Sequence, residues 1–217
     1  MPEKITAGII GTGFIGPAHV EAARRLGNVE ILAVAEANEE LAQQKAAEMS
    51  IPRSYGNYQD LLADPDVQVV HNCTPNHLHF AVNRDILAAG KHVISEKPLA
   101  MNTTESKELL SLAESSGLIH AVDFNYRFYP LIQHAREMVR SGEVGDVFAI
   151  HGSYLQDWLY YPTDWNWRLV PELSGDSRAV ADVGSHWCDL IQFISGQSIT
   201  RVFADLQTVL KTRMKPK

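Results

Sequence analysis

Gly11-Thr12-Gly13-Phe14-Ile15-Gly16 stands between an apolar run, Ile5 to Ile10, and a segment with Ala and Leu at helical spacing. In a strand-turn-helix, Gly11 permits the tight turn and Gly13 lets the backbone approach a pyrophosphate. Gly16 allows close helix-strand packing, and Phe14 and Ile15 lie where the helix offers free N–H groups to phosphates. Glu36 comes 20 residues after Gly16, at the end of a second apolar run, where a carboxylate can accept hydrogen bonds from the ribose hydroxyls of an adenosine. The same carboxylate repels a 2′-phosphate, and Ala37 and Asn38 follow it rather than an arginine, so NAD is favoured over NADP. Lys45 and Arg53 are the cations that could approach from elsewhere in the fold. A glycine-rich turn with no ligand is the plain alternative.

Asp182 and His186 are four apart at the start of a helical pattern, so they project from one face about one turn apart and can reach one bound molecule. A carbinol that is oxidised loses a hydride from carbon and a proton from oxygen, and a histidine titrating near neutrality suits that proton. A helix cap at Asp182 and a satisfied core histidine at 186 would look the same. Lys97 follows the short run His92 to Ser95, between Glu96 and Pro98. In a cleft it can hydrogen-bond a hydroxyl and favour a developing alkoxide; as a solvated loop lysine it would do neither. Thr74 and Asn76 follow the run Val67 to Asn72, where their side chains can meet a cofactor, and His79 lies one turn further on. His71 and His77 are expected to be structural or solvent-facing.

Positioning these groups falls to elements that alternate along the first 123 residues. Helical patterns at about Phe14 to Leu26, Asn38 to Met49, Asn76 to Ala89 and Thr103 to Ser115 separate strand-like runs at Ile5 to Ile10, Glu30 to Ala35, Val67 to Asn72, His92 to Ser95 and Leu118 to Val122. Asn38 is the expected cap of the second helix, with Glu39 and Glu40 in its first turn. Strands alternating with helices imply parallel pairing through right-handed crossovers, hence an α/β doubly wound sheet. After Asp123 the pattern changes. A helix is expected from Arg127 to Ser141 despite Pro130, then a half-exposed antiparallel strand from Val147 to Leu155, an aromatic loop from Gln156 to Arg178, a helix from Ala179 to Ile194, and a last strand from Ile199 to Leu210. The loop holds Trp158, Trp165 and Trp167 with Tyr160 and Tyr161. Such rings can stack on the apolar faces of sugars, with Tyr160 and Trp165 as candidate substrate contacts, or can pack within the domain or a subunit contact.

The 217 residues are 45% hydrophobic and 21% charged, which excludes a disordered or fibrous chain. Their net charge of −7 disfavours nucleic acid and anionic membrane surfaces as partners. No apolar run approaches the roughly 20 residues needed to cross a bilayer. The start leads straight into a strand-like run without signal-peptide architecture, and Cys73 and Cys188 lie far apart with no zinc-ligand spacing. A cytoplasmic, metal-free protein with reduced thiols is expected.

Several motifs together resemble the glucose-fructose oxidoreductase and inositol dehydrogenase (Gfo/Idh/MocA) family. They are Gly11 to Gly16, Thr74-Pro75-Asn76-His77-Leu78-His79, and Ala89-Gly90-Lys91-His92-Val93 running into Glu96-Lys97-Pro98-Leu99-Ala100. Asn125-Tyr126-Arg127 and Ala181-Asp182-Val183-Gly184-Ser185-His186 are similar to the family's later motifs. Ser174 to Ala179 departs from the glycine-rich run frequent there, with Gly175 alone. The resemblance implies a Rossmann domain (residues 1–123) that binds NAD(P), followed from 124 by a domain whose open antiparallel sheet carries the substrate pocket and a homo-oligomer interface. It implies that His186 is the general acid-base, with Asp182 and Lys97 binding or polarising the reacting hydroxyls. Thr74, Asn76, His79, Glu96, Lys97 and Asn125 would join Gly11, Gly13, Phe14, Ile15, Gly16 and Glu36 around the cofactor. Trp167-Arg168 resembles a pair that approaches the nicotinamide and the substrate. The implied activity is hydride transfer between NAD and a hydroxyl carbon of a sugar, inositol or related polyol. An NAD-assisted glycoside hydrolase and a non-catalytic dinucleotide sensor or corepressor are the alternatives.

Family members are longer, and the 94 residues after Asp123 supply two expected strands, too few for an independent sheet. The basic stretch Lys211 to Lys217 then reads as a cut within a loop, so a C-terminally truncated chain is expected.

Overall fold

The structure, a computed structural model, describes residues 4–216. Met1 to Glu3, and Lys217 at the end of the basic stretch, lie outside the described residues. The chain divides into two compact units, residues 1–123 and 124–217.

The first unit is a six-stranded parallel sheet. Its strands are β1 (Ile5–Ile10), β2 (Val29–Ala35), β3 (Arg53–Tyr55), β4 (Val69–Asn72), β5 (His92–Ser95) and β6 (His120–Val122), in the order β3-β2-β1-β4-β5-β6. Helices α1 (Gly16–Arg25), α2 (Glu39–Met49), α3 (Tyr58–Ala63), α4 (Asn76–Ala88) and α5 (Thr103–Ser116) make the crossovers. This is the doubly wound Rossmann order, whose direction reverses between β1 and β4 and leaves a ligand crevice at their carboxyl ends. Asparagine caps start three of the helices: Asn38 accepts from the Leu41 amide, Asn57 from Asp60 and Asn102 from Glu105. The short pair β3 and α3 was not expected, because three residues show no alternation and six show barely a turn and a half of periodicity.

Burial on both faces holds the sheet. Ile9, Val20, Ile31 and Val34 pack on one side, while Ile10, Leu61, Val70, Val82 and Ile86 pack on the other. Each such side chain contributes about 1.5–3 kcal/mol on full burial. A register shift between Ala7 and Gly8 lets β2 place Leu32 and Ala33 against the same cluster, breaking the period of two.

In the second unit a 3-10 turn (Asn125–Phe128) leads to α6 (Pro130–Arg140). The helix expected from Arg127 therefore begins three residues later: proline lacks the N–H that an interior position needs and sits at the first helical position. A second 3-10 turn (Trp167–Leu169), α7 (Pro171–Ser174), a π-helical turn (Val180–Gly184) and α8 (Ser185–Ser195) follow. Arg136 on α6 lies over the Phe193 ring of α8 at 4.3 Å.

The antiparallel strands expected at Val147 to Leu155 and Ile199 to Leu210 are not found; among the described residues neither segment joins a sheet. Alternation reports which side chains share a face, but a strand also needs a partner ladder, and these two segments supply none to each other. Gly152 packs against the Trp187 ring, whereas Phe148, Leu155, Phe203 and Leu206 stand exposed. No helix among the described residues is long and apolar enough to cross a membrane.

Candidate active site

In the first unit the site is built on the loops after β1, β2, β4, β5 and β6. Gly11 has φ +86, a conformation that favours glycine, and an added Cβ there would stand 2.9 Å from the Cys73 carbonyl oxygen. The loops after β1 and β4 thus touch at the switch point. Gly16 opens α1 against the Gly11 carbonyl, where an added Cβ would lie 2.5 Å from the oxygen. Gly13 is the opposite case, exposed and with no protein atom within 4 Å of an added Cβ. The room above the loop is therefore open, as a dinucleotide requires. Phe14 projects into solvent and Ile15 is half-buried at the cap position of α1. Glu36, at the end of β2, turns back over the loop and accepts from the Thr12 amide and hydroxyl, both at 2.5 Å.

The loop after β4 is held from within. Asn72 accepts from the Thr74 hydroxyl at 2.7 Å and donates to Asn83, which donates to Ser95 on β5. Asn76 opens α4, half-buried. His79 is 1% exposed, and its ring nitrogens lie 2.6 Å from the Pro98 carbonyl and 2.7 Å from that of Thr74. Burial pushes its pKa down against the pull of those two carbonyls, which favour the charged ring. His79 thus joins the Thr74 loop to the Glu96–Pro98 loop. Lys97 is half-buried, and the peptide that joins it to Pro98 is cis.

Behind Lys97 lies a cluster that sequence reading missed. His19, on α1, faces the His71 ring with 2.9 Å between the two Nδ1 atoms, and its Nε2 lies 3.0 Å from Glu96 and 3.3 Å from Asp123. The other Glu96 oxygen accepts from the Lys97 amide at 3.1 Å, so the chain of contacts ends at the lysine's own backbone. Burial pushes the Glu96 carboxyl up, but His19 and Lys97 hold it below its ordinary value. Asp123 is raised by burial and by Glu96. Burial pushes the Cys73 thiol beside them far up, so it remains a protonated thiol.

His71 carries a testable consequence. Burial, with the His19 charge, lowers its pKa from 6.5 to about 4. Below about pH 6.5 the unfolded chain takes up a proton that folded His71 refuses until about pH 4. Its contribution is therefore whole above that window and lost on descending through it. The gap of roughly 2.5 pH units amounts to on the order of 3 kcal/mol. Unfolding free energy measured between pH 7 and pH 4 is expected to fall less steeply in His71→Asn than in the parent; parallel curves would contradict the assignment.

The second unit gathers His186, Asp182, Arg168 and Tyr126. His186, 5% exposed on α8, stacks on Tyr126 at 4.2 Å between centroids and meets Phe124 edge-on at 5.8 Å. Tyr126 shares a 2.7 Å hydrogen bond with Tyr154, and that bond, followed by burial, raises its pKa. Asp182 pairs with Arg168 and Arg178, each at 3.3 Å. It lies in the π-helical turn that runs directly into α8, four residues before His186. Arg168 lies over Trp167 at 4.7 Å, and Arg178 over Trp158 at 5.6 Å.

Arg127 makes a two-bonded pair with buried Asp189, a partner missed although it stands three residues after His186 on the same helix. Asn125 is exposed in the turn that aims Tyr126 and Arg127. Of the aromatic candidates, Tyr160 is 74% exposed with its ring edge on Tyr161, and Trp165 is half-buried under Lys215.

Comparisons with known proteins agree in both units. Residues 5–124 match the model described as an oxidoreductase family with an NAD-binding Rossmann fold, and residues 132–215 match the GFO/IDH/MocA C-terminal domain. A levoglucosan dehydrogenase of Pseudarthrobacter phenanthrenivorans is 33% identical over 219 residues, covering 97% of this chain and 55% of that protein. A D-xylose 1-dehydrogenase (NADP(+)) of Haloferax volcanii is 35% identical over 179 residues, covering 82% of this chain and 54% of its own length. A solved levoglucosan dehydrogenase in complex with NADH and levoglucosan superposes with a TM-score of 0.87 at 33% identity, over 90% of this chain and 55% of that one. The chain spans about half the length of the relatives it matches.

Proposed function

Because this chain belongs to the GFO/IDH/MocA oxidoreductase family, we propose that it is the NAD-binding and front catalytic portion of a dehydrogenase acting on a CH–OH group of a sugar or related polyol. The observation that carries this reading is the loop Gly11 to Gly16, open above Gly13 and flanked by the Glu36 carboxylate. Backbone amides of the loop and of the first turn of α1 would hold the pyrophosphate, and Glu36 the adenosine ribose. Thr74, Asn76, Glu96, Asn125 and Arg168 would complete the cofactor's surroundings. When bound, the nicotinamide supplies the hydride acceptor.

The protein's own residues handle the proton and the orientation. Lys97 donates to the reacting hydroxyl oxygen and stabilises negative charge there as the carbon gives up its hydride. His186 takes the hydroxyl proton, held by the Tyr126 face so that its ring cannot turn. Asp182, fixed by two arginines, accepts from a neighbouring substrate hydroxyl and sets which carbon faces the reaction. Tyr160 and Trp165 would contribute to substrate binding. The named substrates of the relatives, levoglucosan and D-xylose, support a sugar.

The test is a panel of anhydrosugars, aldoses and inositols, each incubated with NAD and the protein while NADH absorbance is followed. At least one member is expected to produce NADH steadily. Cleavage of glycosides with no net NADH, or silence across the panel while the cofactor binds, would overturn the proposal.

A further inference from the structure

Thr12, the residue between the first two glycines of the loop, is 4% exposed, although its neighbour Gly13 is open to solvent. Its two polar groups are spent on one atom: the backbone amide and the side-chain hydroxyl both reach Oε1 of Glu36 at 2.5 Å. The second carboxylate oxygen, Oε2, accepts a longer hydrogen bond from the Ala37 amide at 3.3 Å. The backbone beneath is also tied: Glu36 donates its amide to the Tyr55 carbonyl, and Gly11 donates to Ala35. Glu36 is thus anchored at its main chain and, most tightly, at Oε1.

A glutamate has three side-chain torsions and loses that freedom only when something holds it. A carboxylate at this position disfavours a 2′-phosphate as long as it stays in place; one free to swing aside would admit the phosphate. Two donors on one oxygen, both of them from the buried Thr12, remove that freedom before any ligand arrives. We infer that Thr12 is a specificity-determining positioning residue: its hydroxyl locks Glu36 over the glycine loop, and this lock sets the preference for a dinucleotide with a free 2′-hydroxyl over one carrying a 2′-phosphate. The inference rests on the reading of Glu36 as the ribose-binding carboxylate.

The experiment titrates the 217-residue chain with NADH and separately with NADPH, following nucleotide fluorescence, and compares the ratio of dissociation constants among variants. Thr12→Val keeps the shape and the backbone amide but removes the hydroxyl. A hydrogen bond to a charged group of this kind is worth about tenfold, so the NADH preference is expected to fall by roughly that factor. Thr12→Ser, which restores a hydroxyl, is expected to return the ratio toward the parent value, something a purely space-filling role would not do. Thr12→Ala is read in the same way as Thr12→Val should the larger side chain lower stability. A parent-like ratio in Thr12→Val and Thr12→Ala, alongside a collapsed ratio in Glu36→Gln, would overturn the lock and leave the reading of Glu36 standing. A parent-like ratio in Glu36→Gln would overturn both.

Discussion

Gly13→Ala is expected to weaken dinucleotide binding markedly while leaving the protein folded. The methyl group would meet no protein atom within 4 Å, and Gly13 is not among the glycines with positive φ, so alanine fits without strain. Its space is that of a ligand's pyrophosphate, which must approach the backbone closely. Forcing a methyl into such a contact costs about 1–3 kcal/mol, so NADH affinity should fall by about 5- to 150-fold. Gly16→Ala provides the contrast. There the added carbon lies 2.5 Å from the Gly11 carbonyl, a backbone atom that cannot step aside, so both stability and binding should drop. Thermal unfolding and an NADH titration on the same two samples check the pair. Equal NADH affinity in Gly13→Ala and the parent would mean that the loop holds no dinucleotide.

Lys97→Ala and His186→Gln are each expected to lower turnover by about 10²–10⁴-fold in the protein that carries this chain. The dissociation constant of NADH should stay near the parent value, because the glycine loop and Glu36 are untouched. Glutamine is chosen at 186 because the site is 5% exposed and stacked on Tyr126, so alanine would leave a hole. Glutamine fills part of that space and cannot take the proton. Steady-state rates with and without each substitution, read beside NADH affinity, make the measurement. Turnover like the parent's in either variant would remove that residue from the chemistry.

The parts of this fold that were readable in the sequence are those written in local terms. The glycine loop, the asparagine cap at Asn38 and the alternation of apolar runs each depend on residues within a turn or two of one another. The parallel sheet follows from that alternation, and β1, β4 and β5 lie close to where their apolar runs place them. The unexpected features depend on distance. His19 gives no local sign of its role, because its partners His71 and Glu96 are 52 and 77 residues away. Asp123, the last residue of the first unit, gives no local sign that it faces His19, 104 positions earlier in the chain. Thr12 likewise carries no local sign of its contact with Glu36, 24 residues away.

The second unit reads less well because its signals were ambiguous in kind. Val147 to Leu155 alternates as a strand does, yet alternation carries no information about which backbone will supply the hydrogen bonds. Asp182 and His186 have helical spacing, but the single α-helix expected across both begins only at Ser185, with Asp182 in the π-helical turn before it. Arg127 and Asp189 were both in view as letters, and only the packing of α8 on the turn before α6 makes them a pair.

The most direct test of the central claim is a fluorescence titration of the 217-residue chain with NADH. The expected result is saturation at about one NADH per chain, with NADPH binding at least about tenfold more weakly because of the Glu36 charge. Emission that rises linearly, with no saturable component up to about millimolar NADH, an affinity no better than about −4 kcal/mol, would contradict it.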